Sequence, residues 1–168
     1  MRVTRNPLRG WGQAVWLMMV GLGLTSAVIS ASERQVATLD ERIDGAARVV
    51  VATARTVTGS WRENSHGDRI IVSRVLLDVE ETLKGAEAAT AWLDVDGGTI
   101  DGLTLQVSSL PDVRPGERAV FFLAAPAGNV HTPFLRGQGI LKLEDDGLVR
   151  GTSLHLNEIR SRALRVRQ

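Results

Sequence analysis

The hydrophobic pattern has its longest run at Ile70–Lys84, closed by Gly85. Val75, Leu77 and Val79 alternate there with Leu76, Asp78 and Glu80, a period of two that predicts a long, bent strand at the centre of the fold. Leu76, Val79 and Leu83 also share a helical spacing. The β-branched start and the lack of a capping residue before Ile70 favour the strand. Upstream, Arg48–Val57 is apolar on both parities at its start and predicts a first strand, buried early and exposed later. The polar stretch from Gly59 to Asp68 predicts a hairpin loop carrying Trp61 and His66.

Downstream, Thr90–Asp96 alternates cleanly, with Ala91, Leu93 and Val95 expected inward and Trp92, Asp94 and Asp96 outward. Gly97-Gly98 predicts a turn. Leu103–Val107 alternates again, and Pro115-Gly116 launches the strand Glu117–Leu123. Val130–Leu135 and Gly139–Leu143 predict short strands around Arg136-Gly-Gln-Gly139, whose glycines suggest a bulge or a close backbone approach. Glu144–Gly147 predicts a turn into a strand at Leu148–Arg150. A short helix is expected near each end. Thr38-Leu-Asp-Glu41 fits a capping box, with Leu39 and Ile43 one turn apart. A second helix is expected from about Ser153, with Leu156, Ile159 and Ala163 as its apolar face. This order of elements predicts a mainly β domain: a small OB-like barrel of about five strands with short N- and C-terminal helices, a sandwich being the alternative.

The first 31 residues read differently. Arg2, Arg5 and Arg9 precede an apolar run at Ala14–Leu24 and a small-residue stretch ending at Ser32. That order predicts a secretory signal peptide over 1–31, cleaved after Ala31 or Ala27, and a single domain over 32–168; an uncleaved anchor is the alternative. The implied location is periplasmic or extracellular, with membrane contact only through the leader before cleavage. Three of the 20 basic residues but none of the 19 acidic ones precede Ser32, so the rest of the chain is mildly acidic despite a net charge of +1. That balance, with no Tyr and no clustered Lys, argues against nucleic acid as a partner. The absence of cysteine removes disulfides, thiolate metal sites, a cysteine nucleophile and a lipobox anchor.

No catalytic constellation is present. His66, His131 and His155 are far apart and lack ligand spacing. Ser153 lies near His155 without a nucleophile elbow. Asp94, Asp96 and Asp101 around Gly97-Gly98 start like a calcium loop but lack its closing Glu, and a solvated turn is the simpler reading. No metal or other cofactor is expected. The candidate partner surface is Trp61, Trp92, Asp94, Asp96 and Asp101, with packing on the core rim as the plainer role for the tryptophans.

Four segments in order carry a resemblance: Ala47–Ala54, Val79-Glu-Glu-Thr-Leu-Lys-Gly85, Pro115-Gly-Glu-Arg-Ala-Val-Phe-Phe-Leu123 and Gly137-Gln-Gly139. Together they resemble a family of exported bacterial proteins of unassigned function. More faintly, residues 38–143 are similar to netrin-like modules and to tissue inhibitors of metalloproteinases, which are five-stranded OB-type barrels. The inhibitors chelate zinc through an N-terminal cysteine, which this chain lacks, so no functional residue carries over. The expectation is an exported, non-catalytic binding module whose partner is an extracytoplasmic protein. A protease-associated or inhibitory protein and a hydrolase are the alternatives.

Overall fold

The computed structural model describes residues 36–64 and 66–166. The expected signal peptide over 1–31 lies outside the described residues. The domain is mainly β: an open, mixed, six-stranded sheet and a separate two-stranded hairpin, with a short helix near each end.

The N-terminal helix, α1 (Leu39–Gly45), starts at the predicted capping box. Thr38 Oγ1 accepts from the Glu41 amide, and the Glu41 carboxylate accepts from the Thr38 amide at 2.7 Å. Ile43 is fully buried and Leu39 packs beside it. Two 16-residue strands follow, β1 (Arg48–Glu63) and β2 (Arg69–Lys84), paired antiparallel along almost their whole length. The apolar run 70–84 is therefore strand throughout. The predicted loop is much shorter than 59–68, because β1 runs on to Glu63. Polar composition suggested a loop at Gly59–Glu63, yet such residues sit readily on the exposed half of a ribbon. Val49 to Ala52 are all fully buried, on both parities. Register shifts interrupt that part of β1, and both sides of the sheet are covered there.

The remaining strands are β3 (Thr90–Asp96), β4 (Gly98–Ile100), β5 (Leu103–Leu105), β6 (Arg118–Leu123), β7 (Val130–His131) and β8 (Ile140–Lys142). The order in the main sheet is β7-β3-β2-β1-β6-β8, with β7 parallel to β3 and every other pair antiparallel. Pairing among the described strands does not close into a barrel, unlike the expected five-stranded form. The sheet is still strongly curled. Leu93 of β3 and Ile140 of β8 belong to one apolar cluster although they stand four places apart in the order. That cluster is the first core, built on Val50, Ala52, Val75, Leu77, Leu93 and Phe121. The second core lies on the opposite face, where Val49, Val51, Val120 and Phe122 pack against α1 and the C-terminal helix α2 (Leu156–Val166).

Helix α2 begins three residues later than the sequence suggests. Thr152 and Leu154 form a turn, and His155 stands before the first helical residue, its Nδ1 accepting from the Asn157 amide at 3.1 Å. Leu156, Ile159 and Ala163 form its buried face as predicted. Leu148–Arg150 makes only isolated bridges instead of a strand. The glycines of 137–139 mark a close approach, because a Cβ on Gly137 would collide with the Ser109 carbonyl oxygen.

Candidate functional site

The β4–β5 hairpin and the loop 106–114 enclose a cleft of about 280 Å³. Two glycines make it possible. Gly97 and Gly98 have φ of 98° and 131°, a region that L side chains rarely adopt, and a Cβ on Gly98 would meet the Ser73 hydroxyl. Here the chain leaves β3 and folds back as the hairpin. Its two-residue turn, Asp101-Gly102, has positive φ at both positions, the requirement of the commonest tight hairpin turn. The floor of the cleft is the end of the first core: Val95, Val113 and Leu110. The Ser73 hydroxyl, buried at this floor, donates to the Gly97 carbonyl at 2.8 Å. Thr99 and Thr104 face each other on the hairpin wall with hydroxyls 2.9 Å apart. Gln106, Asp96, Asp112 and Arg114 supply the rest of the polar lining.

Of the residues singled out in the sequence, Asp96 lines this cleft, and Arg136 lies 3.7 Å from its carboxylate. Leu135 and Arg136 both hold positive φ, 54° and 56°, an uncommon state for two successive non-glycine residues. Asp101 sits at the exposed hairpin tip.

Asp94 shares the parity of Trp92 and Asp96 but is not solvated as expected; it is 6% exposed. Arg62 and Arg74 cover it. Arg74 Nε and Nη2 donate to the two carboxylate oxygens at 2.9 and 3.0 Å, and Arg62 Nη2 donates as well. Burial pushes the Asp94 carboxyl up, but the bonds from Arg74 and the charge of both guanidiniums outweigh it and hold it below its ordinary value.

Trp92 and Trp61 are both partly exposed, at 37% and 40%. They lie on opposite faces of the sheet. Trp92 is level with Leu76 and Thr56, and alternation then puts Thr58, Ser60 and Arg62 on its side and Trp61 on the other. Trp61 belongs to β1 and not to a loop, and the Arg69 guanidinium lies 4.8 Å from its ring centroid. The structure thus joins Trp92, Asp94 and Asp96 along one face of β3 and separates them from Trp61.

The other polar candidates disperse. His66 is exposed in the β1–β2 turn. His131 Nδ1 bonds the Ala124 carbonyl, and His155 Nε2 bonds the Asp146 carbonyl. Among the described residues, no group of three or more His, Asp or Glu side chains is placed to hold a metal ion.

Ser73, Thr104, Leu110 and Val113 escaped the sequence reading. Their one signal was the Gly97-Gly98 pair beside an alternating stretch and a Pro-containing loop. Neither the scan of family models nor the search of curated proteins gives a match to this chain. The fold and the cleft thus define a small, mainly β module with a side-chain-sized recess at the end of its sheet.

Proposed function

We propose that the chain is an exported, non-catalytic binding module that holds an extracytoplasmic protein partner at the cleft end of its sheet. The observation that carries this reading is the recess itself, an apolar floor continuous with the first core and rimmed by hydroxyl, amide and carboxylate groups. At about 280 Å³ it falls below the roughly 300–1,000 Å³ typical of pockets that enclose a drug-sized ligand. That size suits a side chain of a larger partner. Export rests on the leader pattern of residues 1–31. A binding role is favoured over hydrolysis because both ring nitrogens of His155, the histidine nearest Ser153 in sequence, are engaged by backbone.

An OB-like arrangement is part of this proposal. Its support is the segment 130–134. Val130 and His131 pair parallel with Trp92 and Leu93, while Thr132, Pro133 and Phe134 meet Ala124, Leu123 and Phe122 at the end of β6. One short segment therefore touches both sides of the curled sheet, as the last strand of an OB-type barrel does.

The test is photo-crosslinking in the native cell, with the reactive residue placed at Gln106 or, as a remote control, at Leu164 on α2. A single adduct from Gln106, absent from Leu164, is the expected result. Equal adducts from both positions, or none from Gln106, would remove the reading.

A further inference from the structure

The geometry points to strand addition: an extended peptide of neutral to basic character pairs with the outer edge of β5 and places one side chain in the cleft. This rests on the cleft being the partner site and specifies how that partner is held.

The argument starts from hairpin parity. In a two-residue hairpin the residues flanking the turn, Ile100 and Leu103, form a hydrogen-bonded pair, so the next pair, Thr99 and Thr104, does not exchange backbone bonds. Two contacts agree. The Thr99 carbonyl is directed away from β5, into the space where a Cβ on Gly59 would sit, and the Thr99 and Thr104 side chains approach closely as non-bonded pairs do. The N–H and C=O of Thr104 therefore point outward from the hairpin. Gly98 pairs with Leu105, so the same alternation turns the backbone groups of Gln106 outward too. Thr104 and Gln106 are exposed and line the cleft. Donors and acceptors on alternate residues beside a side-chain-sized recess are what strand addition uses: backbone bonds supply affinity and the recess supplies specificity.

Charge narrows the partner. Asp112 is paired with Arg114 at 2.8 Å, and Asp96 lies 3.7 Å from Arg136. Asp101, at the hairpin tip, joins none of the ion pairs among the described residues. The hairpin tip next to the β5 edge therefore carries an unpaired carboxylate, which disfavours acidic peptides.

The experiment selects peptides from a random displayed library on the full chain and measures their affinity for three variants. Thr104→Pro removes the outward N–H without breaking a hairpin bond, a position where an edge strand tolerates proline. Thr104→Val removes only the hydroxyl. Thr99→Phe fills the recess. We expect Thr104→Pro to weaken binding about tenfold or more and Thr104→Val to leave it within about twofold. In the unmodified chain the Thr104 and Gln106 amides should gain hydrogen-exchange protection when peptide binds, a readout independent of whether the proline variant folds. Undiminished binding by Thr104→Pro, with loss in Thr99→Phe, would overturn strand addition and leave the cleft as the partner site. Binding indifferent to all three variants would overturn both. Selection of acidic peptides would overturn the charge assignment.

Discussion

The two faces of the curled sheet bury similar residues but are closed by different means. On one face α1 and α2 lie over Val49, Val51, Val120 and Phe122, fastened by charged side chains. Arg160 grips Glu81 with three bonds of 2.7–3.2 Å, and Arg162 reaches from α2 to Asp40 on α1. Among the described residues the other face has no α-helix. Its core is covered by the curl of the sheet and by the loop that carries Leu110 and Val113, and where that loop ends the cleft opens. Apolar content alone does not distinguish the faces. What distinguishes them is the covering: two helices tied by ion pairs on one face, and on the other a loop that closes only as far as its backbone reaches.

Two adjacent phenylalanines divide the faces between them. Phe121 belongs to the first core and Phe122 to the second, and both are buried. Either replacement by alanine should cost about 3–5 kcal/mol in urea unfolding. The consequences should differ by face. Phe122→Ala is expected to strip hydrogen-exchange protection from α2 first, while Phe121→Ala leaves the helix protected and loosens the floor near the cleft. Identical protection patterns would mean that the two faces unfold as one unit.

A smaller effect is expected at Asp94, where two arginines take the place of a covering helix. Asp94→Asn should cost about 1–3 kcal/mol at neutral pH, since it weakens charge-assisted bonds and leaves two guanidiniums without their shared carboxylate. The wild-type carboxyl is held below its ordinary value, so its stabilising effect is complete above the normal carboxylate range and fades as pH falls through the lowered value. The stability gap between wild type and Asp94→Asn should therefore close in strong acid, as thermal melts across pH would show. A gap of constant size would mean that the carboxylate does not carry it. The smallest effect is at the helical seal: Thr38→Ala should lose about 1 kcal/mol by removing one half of the capping box.

Much of the fold was legible in the residues. Strict alternation placed Leu93 and Val95 inward, and the Thr38–Glu41 spacing located the first helix, because both signals are local. The 59–68 stretch reads as a longer loop than it is because Trp61 and Arg62 lie on a ribbon half exposed to water, where polar residues carry no loop information. Asp94 looked solvated because its two covers come from other strands, at separations of 20 and 32 residues. The same limit hid the cleft. Asp96 was visible as a carboxylate beside a turn, but its walls, Thr99 with Thr104 against Leu110 with Val113, come together only once Gly97 and Gly98 reverse the chain.

Lys84, the last residue of β2, donates from Nζ to the carbonyls of Ile43, Asp44 and Ala46, each at 2.8 Å, and so ties down the end of α1. The clasp spans about 40 residues of chain. For a chain made N-terminus first, that spacing imposes a timetable. The first helix appears early but can be clasped only after the second long strand has followed it. Until then its last carbonyls wait for their shared donor.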